Sequence, residues 1–183
     1  MEWKRLRSLG CLSRGRRLGA AALSLFAFLV LAGTLSPAAS ARTPLRVGDP
    51  PPAVSLPDLA GHSLRIPDDV RGKVVVIHFW AAGCSSCKEE MPALEGLYRK
   101  FQNRGLAVLA INVGQPRAAV KSYLQGLGVS YPIYLDQDAR AAREYEVVGV
   151  PKTVILDRSG VVRYKILGSA TAASLTKLVT SLM

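Results

Sequence analysis

The chain has 183 residues, a formal net charge of +11 and 49% hydrophobic residues. This apolar content is enough for one ordinary domain with its own core and a short appendage. Residues 1–41 have a net charge of +5, and the rest of the chain has a net charge of +6 with acidic and basic residues interleaved. Because no block of like charges occurs there, the charge does not indicate a nucleic-acid surface, and we expect no nucleic-acid partner.

Residues 1–41 are predicted to be a signal peptide or an N-terminal membrane anchor. A basic start is followed by an uncharged run from Leu18 to Leu35 and by small residues at Ala39 and Ala41. The run is longer than a typical signal core and just long enough to span a bilayer, so both alternatives stay open. In either case the basic flank stays in the cytoplasm, which predicts a periplasmic or otherwise extracytoplasmic location for the rest.

The next elements are a linker and a hairpin. Residues 42–52 are rich in proline and are predicted to form a linker or an extended entry to a domain that covers 53–183. The short runs 53–56 and 62–66 flank a turn and predict an antiparallel β-hairpin.

A buried strand followed by a helix is the strongest signal. The β-branched and aromatic run 73–80 is nearly continuous in apolar character, which is typical of a strand covered on both faces. Apolar residues then recur at helical spacing over 86–102, and Asn103 and Gly105 end this helix. A second buried strand at 106–113 completes a strand–helix–strand unit, which implies a parallel pair.

The second half continues the alternation of helices and strands. The patterns predict a helix over 116–127, a strand over 131–135, a helix over 138–145, a hairpin of strands over 153–156 and 161–166, and a closing helix over 171–183.

Apart from Cys11, which precedes the apolar run, the chain contains one pair of cysteines, Cys84 and Cys87. A bridge that closes so short a loop removes little unfolded-chain entropy, so the pair is better explained by chemistry than by structure. Helix N-termini stabilise a thiolate, which is the species that attacks a disulfide. Cys84 is therefore the candidate nucleophile and Cys87 the candidate resolving thiol.

These motifs resemble the thioredoxin superfamily. The resemblance rests on W-A-x-x-C-x-x-C at a strand-to-helix turn, on Pro92 five residues after the second cysteine, and on Gly149-Val150-Pro151 downstream. The chain is most similar to the extracytoplasmic TlpA and ResA type, through V-G-D-P-P-P-A-V-S-L-P-D-L-A-G-H-S-L, C-x-x-C-x-x-E-M-P and G-V-P-K-T-V-I-L-D-R-S-G. The resemblance implies an α/β thioredoxin-like fold with a central mixed sheet flanked by helices, an N-terminal β-hairpin and a central insert.

The resemblance also implies a thiol:disulfide oxidoreductase that reduces protein disulfides through a mixed disulfide. Expected partners are disulfides of periplasmic proteins, with apocytochrome c in cytochrome c maturation as one candidate, and a thiol-reducing electron donor in the membrane. The membrane itself is a partner if the N-terminal segment is not cleaved, and no cofactor is expected. Two features depart from the cytochrome-maturation relatives: Lys152 replaces their usual glutamate, and Ser85-Ser86 separates the cysteines.

Glu90 is the first of the further candidate site residues. It shares a helix face with Cys87, and the resemblance implies that it exchanges a proton with that thiol; the alternative is a solvated helix residue. Trp80, Val150 and Pro151 are candidate substrate-binding residues. The resemblance implies a cis bond at Pro151, which would expose the Val150 backbone to pair with a substrate strand, whereas the alternative is an ordinary turn.

His78 stands where the resemblance predicts Asp or Asn. Two interpretations are open: a hydrogen-bonded core histidine, or a proton relay that titrates at about pH 6 to 7.

Other functions of the same fold require residues that this chain lacks or places differently. A peroxiredoxin-type thiol peroxidase needs threonine or serine three residues before its cysteine, and Ala81 stands there for Cys84. A copper or zinc site is not expected, because His62 and His78 both precede the cysteines and four zinc ligands cannot be assembled. A thioredoxin-fold oxidase or a binding module remains an alternative.

Overall fold

The computed structural model describes residues 44–183, which form a two-stranded hairpin and a five-stranded mixed sheet with helices on both faces. The predicted signal peptide or anchor over 1–41 lies outside the described residues. Within 44–183, no helix has the length and apolar character needed to cross a membrane.

The predicted hairpin and sheet strands are present. The hairpin pairs β1 (Val54–Pro57) with β2 (Ser63–Ile66) in antiparallel register. The sheet has the order β5-β4-β3-β6-β7, and its strands are β3 (Val74–Trp80), β4 (Leu106–Val113), β5 (Ile133–Asp136), β6 (Lys152–Leu156) and β7 (Val162–Leu167). Because β3 runs parallel to β4 and antiparallel to β6, the sheet is mixed, and the predicted thioredoxin-like fold is confirmed.

The helices are shorter than the sequence periodicity predicts, except for the first. They are α1 (Ser85–Phe101), α2 (Arg117–Leu124), α3 (Arg140–Glu144) and α4 (Ala172–Thr180). At the end of α2 the backbone of Gln125 is extended, and Gly126 adopts a φ of +81°, a conformation that glycine reaches without strain. The helix therefore stops before the predicted end at residue 127.

Strand β3 is the centre of the molecule, and all of its residues are buried. Successive side chains of a strand point to opposite faces. Val74, Val76 and Trp80 pack into the core that contains residues of α1, α2 and α4, and the alternate residues pack into the core formed with the hairpin and α3. The strand is thus covered on both faces, as predicted.

The described part of the predicted linker lies along the outer edge of β7. The N–H of Gly48 donates to the carbonyl of Val162 at 2.8 Å, and the N–H of Val162 donates to the carbonyl of Asp49 at 2.9 Å. Leu45 is buried in the core on the hairpin side of the sheet. These contacts hold residues 45–49 against the sheet.

Candidate active site

Cys84 and Cys87 lie where β3 passes into α1. They form a disulfide with their Cα atoms 5.3 Å apart. Cys84 is the N-cap residue of α1, and its Sγ accepts the backbone N–H of Cys87 at 3.2 Å, in the place where a serine or aspartate oxygen commonly caps a helix. Cys84 is half-buried, whereas Cys87 is completely buried. Of this pair, Cys84 is therefore the cysteine whose sulfur can react with a group of another protein.

The loop between α3 and β6 lies against the exposed cysteine. Sγ of Cys84 is 3.8 Å from the carbonyl oxygen of Val150, although the two residues are 66 positions apart in sequence. The bond between Val150 and Pro151 is cis, as the resemblance implied. The hydroxyl of Ser86 lies 3.5 Å from the same sulfur. The structure thus brings together the cysteine pair and the Val150-Pro151 segment.

Lys152, directly after Pro151, points into the protein. Its Nζ donates to the carbonyl oxygens of Tyr145 at 2.7 Å and Glu146 at 2.5 Å, just beyond the end of α3. Burial lowers the pKa of Lys152, and the neighbouring charge of Lys165 lowers it further. Lys152 therefore holds the start of the loop and presents no charge to a bound substrate.

Glu90 occupies the apolar stripe of α1. The buried residues of this helix recur at helical spacing, and Glu90 takes the position between Cys87 and Leu94. Only 3% of the residue is exposed, and burial raises the pKa of its carboxyl to about 7, while the backbone N–H of Ala170 acts in the opposite direction. The alternative of a solvated helix residue is therefore wrong, and Glu90 can gain or lose a proton near neutral pH.

His78 lies on the face of β3 that faces α1, and it is completely buried. Its Nδ1 is 3.0 Å from Oγ1 of Thr153 on the adjacent strand β6 and 4.0 Å from Oε1 of Glu90. Burial lowers the pKa of the imidazole to about 4, well below the value of about 6 to 7 expected for a relay. His78 is thus a neutral, hydrogen-bonded core histidine at physiological pH.

Trp80 is not available to a substrate, so that expectation is wrong. The residue is completely buried, because it belongs to the face of β3 that is covered by helices. Its ring packs against the ring of Tyr123, with the centroids 5.6 Å apart. Trp80 belongs to the buried core against which Ala82 and Cys84 pack, and it does not reach the surface.

Comparison with known proteins agrees with this geometry. Residues 47–165 match the model of the AhpC/TSA family. The chain belongs to the AhpC/TSA family. This family member is 33% identical over 141 residues to the thiol-disulfide oxidoreductase ResA of Geobacillus kaustophilus, a match that covers 77% of this chain and 80% of the relative. It is 32% identical over 124 residues to ResA of Bacillus subtilis, covering 68% and 69% of the two chains.

Solved structures with this fold include further thiol-disulfide proteins. The thioredoxin domain of a thiol-disulfide oxidoreductase from Bacteroides vulgatus matches with a TM-score of 0.67 and 27% identity, over 75% of this chain and 97% of that one. A protein described as the thiol:disulfide interchange protein DsbE from Chlorobium tepidum matches with a TM-score of 0.70 and 26% identity, over 75% and 98%. The resemblance to the TlpA and ResA type is confirmed, and this AhpC/TSA family member is a thiol-disulfide oxidoreductase.

The raised pKa of Glu90 predicts how stability depends on pH. The ordinary pKa of the carboxyl is 4.5 and its pKa in the folded protein is about 7. Between pH 4.5 and about 7, the native state therefore holds a proton that the unfolded state has released. The stability contributed by protonated Glu90 is present in full below about pH 4.5 and is lost as the pH rises through about 7. Replacement by glutamine keeps the shape and removes the charge. We expect Glu90→Gln to exceed the wild type in unfolding free energy by about 3 kcal/mol at pH 8 and to equal it at pH 4.

Urea unfolding at both pH values measures this difference. Glu89→Gln, at the exposed neighbouring position, is the matched control and should show no such pH dependence. A Glu90→Gln variant that loses equal stability at both pH values would contradict the account.

Proposed function

We propose that the protein reduces disulfide bonds of extracytoplasmic proteins, with Cys84 as the attacking thiolate and Cys87 as the resolving thiol. One observation carries this proposal: the half-buried Sγ of Cys84 caps α1 beside the Val150 carbonyl, while Cys87 is completely buried one turn further along the helix. A substrate sulfur can approach Cys84, and once it is bound, Cys87 is the thiol held beside the new bond.

The reaction starts from the reduced pair. The Cys84 thiolate attacks one sulfur of the substrate disulfide, forming a mixed disulfide and releasing the other substrate sulfur as a thiolate that takes up a proton. Cys87 then loses its proton and attacks Sγ of Cys84. The Cys84–Cys87 disulfide forms, and the second substrate sulfur leaves as a thiol after protonation. Two electrons pass to the substrate, and the protein ends in the oxidised state seen in the structure.

Glu90 is the proposed acceptor of the Cys87 proton. A buried thiol resists ionisation because burial disfavours its charged form. A carboxylate on the same face of α1, with a pKa raised by burial to about 7, is matched to take this proton near neutral pH. His78 is too weak a base for the role, because its pKa is lowered to about 4. Its hydrogen-bond distance to Thr153 instead suits a part in holding β3 against β6 behind the cysteines.

The contacts of Cys84 support one direction of electron flow. In the described part of the chain, the hydrogen-bonding groups at its Sγ are the Cys87 N–H, the Ser86 hydroxyl and the Val150 carbonyl, all of them uncharged. Strong oxidants of this class owe their potential to a stabilised reduced form. Here the thiolate receives helix N-terminal stabilisation without a cationic side chain in contact, and the nearby carbonyl oxygen opposes negative charge. This balance favours a reductant over the alternative of an oxidase.

The location and the partners are inferred from the N-terminal sequence and the relatives. The basic and apolar pattern of residues 1–41 supports export or anchoring, with the domain in the periplasm or its equivalent. Because each turnover leaves the pair oxidised, an electron donor must reduce it again, and we assign this role to a thiol-reducing membrane protein. Inward-facing Lys152 offers no charge to a dedicated partner, so we propose protein disulfides in general, with apocytochrome c as one substrate to test.

Trapping of the mixed disulfide tests the roles of the two cysteines. Incubation of the reduced full chain with insulin is expected to give a stable covalent adduct for Cys87→Ala, because the resolving thiol is missing. Both variants carry Cys11→Ser as well, so that Cys87 is the one cysteine left in Cys84→Ala; this variant should give no adduct, since Cys87 is buried. Both variants should lose insulin reduction down to the uncatalysed rate. An adduct that forms equally well on Cys87 of Cys84→Ala would contradict the assignment.

The role of Glu90 predicts a pH profile for the resolving step. In the wild type, the rate at which the mixed disulfide resolves should rise with pH through about 7, as the carboxyl loses its proton. Glu90→Gln cannot accept a proton, so its rate should be about a hundredfold lower at pH 8. Stopped-flow fluorescence with an excess of disulfide substrate measures this step, with Glu89→Gln as control. A wild-type profile in Glu90→Gln would exclude the proposed transfer.

A further inference from the structure

A glutamine side chain holds the loop that precedes the cysteines. Gln115 lies in the connection between β4 and α2. Its Oε1 accepts the backbone N–H of Ala82 at 2.6 Å, and its Nε2 donates to the carbonyl oxygen of the same residue at 3.2 Å. One side-chain amide therefore satisfies both backbone polar groups of Ala82, as a neighbouring strand would do.

Asn112 fixes the orientation of this amide. Asn112 is completely buried, pairs with Trp80 across the β3–β4 register, and donates from Nδ2 to Oε1 of Gln115 at 2.9 Å. Oε1 of Gln115 thus faces two donors. A flipped amide would place its NH2 group against both of them, so only one orientation satisfies the hydrogen bonds.

The residues between β3 and α1 have few other constraints. Ala82 is followed by Gly83, which has a φ of +91°, a conformation that other residues rarely adopt. A Cβ atom added at Gly83 would have no neighbour within 4 Å. The N–H of Cys84 donates to the carbonyl of Ala81 at 3.2 Å, which closes a turn around Gly83. The clamp on Ala82 therefore ties this turn to the β4–α2 connection by two backbone hydrogen bonds.

The geometry points to Gln115 as a positioning residue for thiol-disulfide exchange: by holding Ala82, it keeps Sγ of Cys84 directed at the N-terminus of α1. This inference rests on the proposed function, in which Cys84 is the attacking thiolate. Gln115 does not act on the substrate. Without it, rotation at Gly83 lets the sulfur leave the Cys87 N–H, and the thiolate loses a stabilising hydrogen bond.

The test compares Gln115→Met with Gln125→Met in the reduced full chain. Methionine matches the size of glutamine and makes neither clamp hydrogen bond, and Gln125 is an exposed glutamine at the end of α2 that serves as the control. Two quantities are measured: the pH dependence of Cys84 alkylation by iodoacetamide, and amide hydrogen exchange at Ala82. Loss of one hydrogen bond to a charged sulfur corresponds to roughly a tenfold change in the thiolate equilibrium.

For Gln115→Met we expect faster exchange at Ala82, an alkylation midpoint shifted to higher pH by about one unit, and a roughly tenfold lower alkylation rate below that midpoint. Gln125→Met should behave as the wild type. If exchange at Ala82 accelerates while the alkylation profile stays unchanged, or if Gln115→Met matches the control in both quantities, the inference is overturned. If Cys84 is not the alkylated thiol in the wild type, the proposed function itself fails.

A second variant keeps the test valid if Gln115→Met does not fold. Gln115→Ala removes both hydrogen bonds to Ala82 and adds no charge. An alkylation midpoint shifted to higher pH in this variant supports the clamp. An unchanged midpoint together with faster exchange at Ala82 overturns it.

Discussion

The burial of β3 on both faces is the constraint on which the site depends. No side chain of β3 is exposed, and the strand passes through four residues into α1. This short passage places Cys84 at the cap of the helix, where sulfur takes the N–H that an oxygen commonly takes. The exposure of Cys84 and the burial of Cys87 both follow from this position, because the first turn of α1 enters the core.

Behind the cysteines, burial acts on two ionisable groups in opposite directions. It raises the pKa of Glu90 and lowers that of His78, so each group shifts toward its uncharged form. The site therefore contains one group that exchanges a proton near pH 7 and one that stays neutral. The two side chains lie 4.0 Å apart, and they come from α1 and β3. In the proposed reaction, Glu90 accepts the proton that leaves the buried Cys87, and it lies on the same helix.

The sequence predicted the features that depend on local pattern. The continuous apolar run gave β3, the helical stripe gave α1, and the resemblance gave the cis bond at Pro151. Features that depend on the destination of a single side chain were not predictable. Trp80 ends the apolar run that predicted a strand covered on both faces, but the packing of its ring against Tyr123 depends on where α2 lies in the fold.

Lys152 and Gln115 show the same limit. Lysine is usually exposed, but Lys152 is buried because its ammonium group donates hydrogen bonds to the carbonyl oxygens of the two residues that follow α3. The clamp of Gln115 on Ala82 joins residues 33 positions apart, and a lone glutamine after a strand carries no sequence signal for such a contact. The Gln115 contact becomes visible only when the loops that follow the parallel strands β3 and β4 are brought to the same edge of the sheet.

The central proposal is that the helix N-terminus stabilises the Cys84 thiolate without a cationic side chain among its hydrogen-bonding neighbours in the described residues, and that the pair therefore acts as a reductant. The reduction potential of the Cys84–Cys87 couple, measured by equilibration of the full chain with defined thiol–disulfide buffers at pH 7, tests this claim most directly. The account predicts a value at or below about −250 mV, and a value of about −120 mV, typical of a strong oxidant, would contradict it.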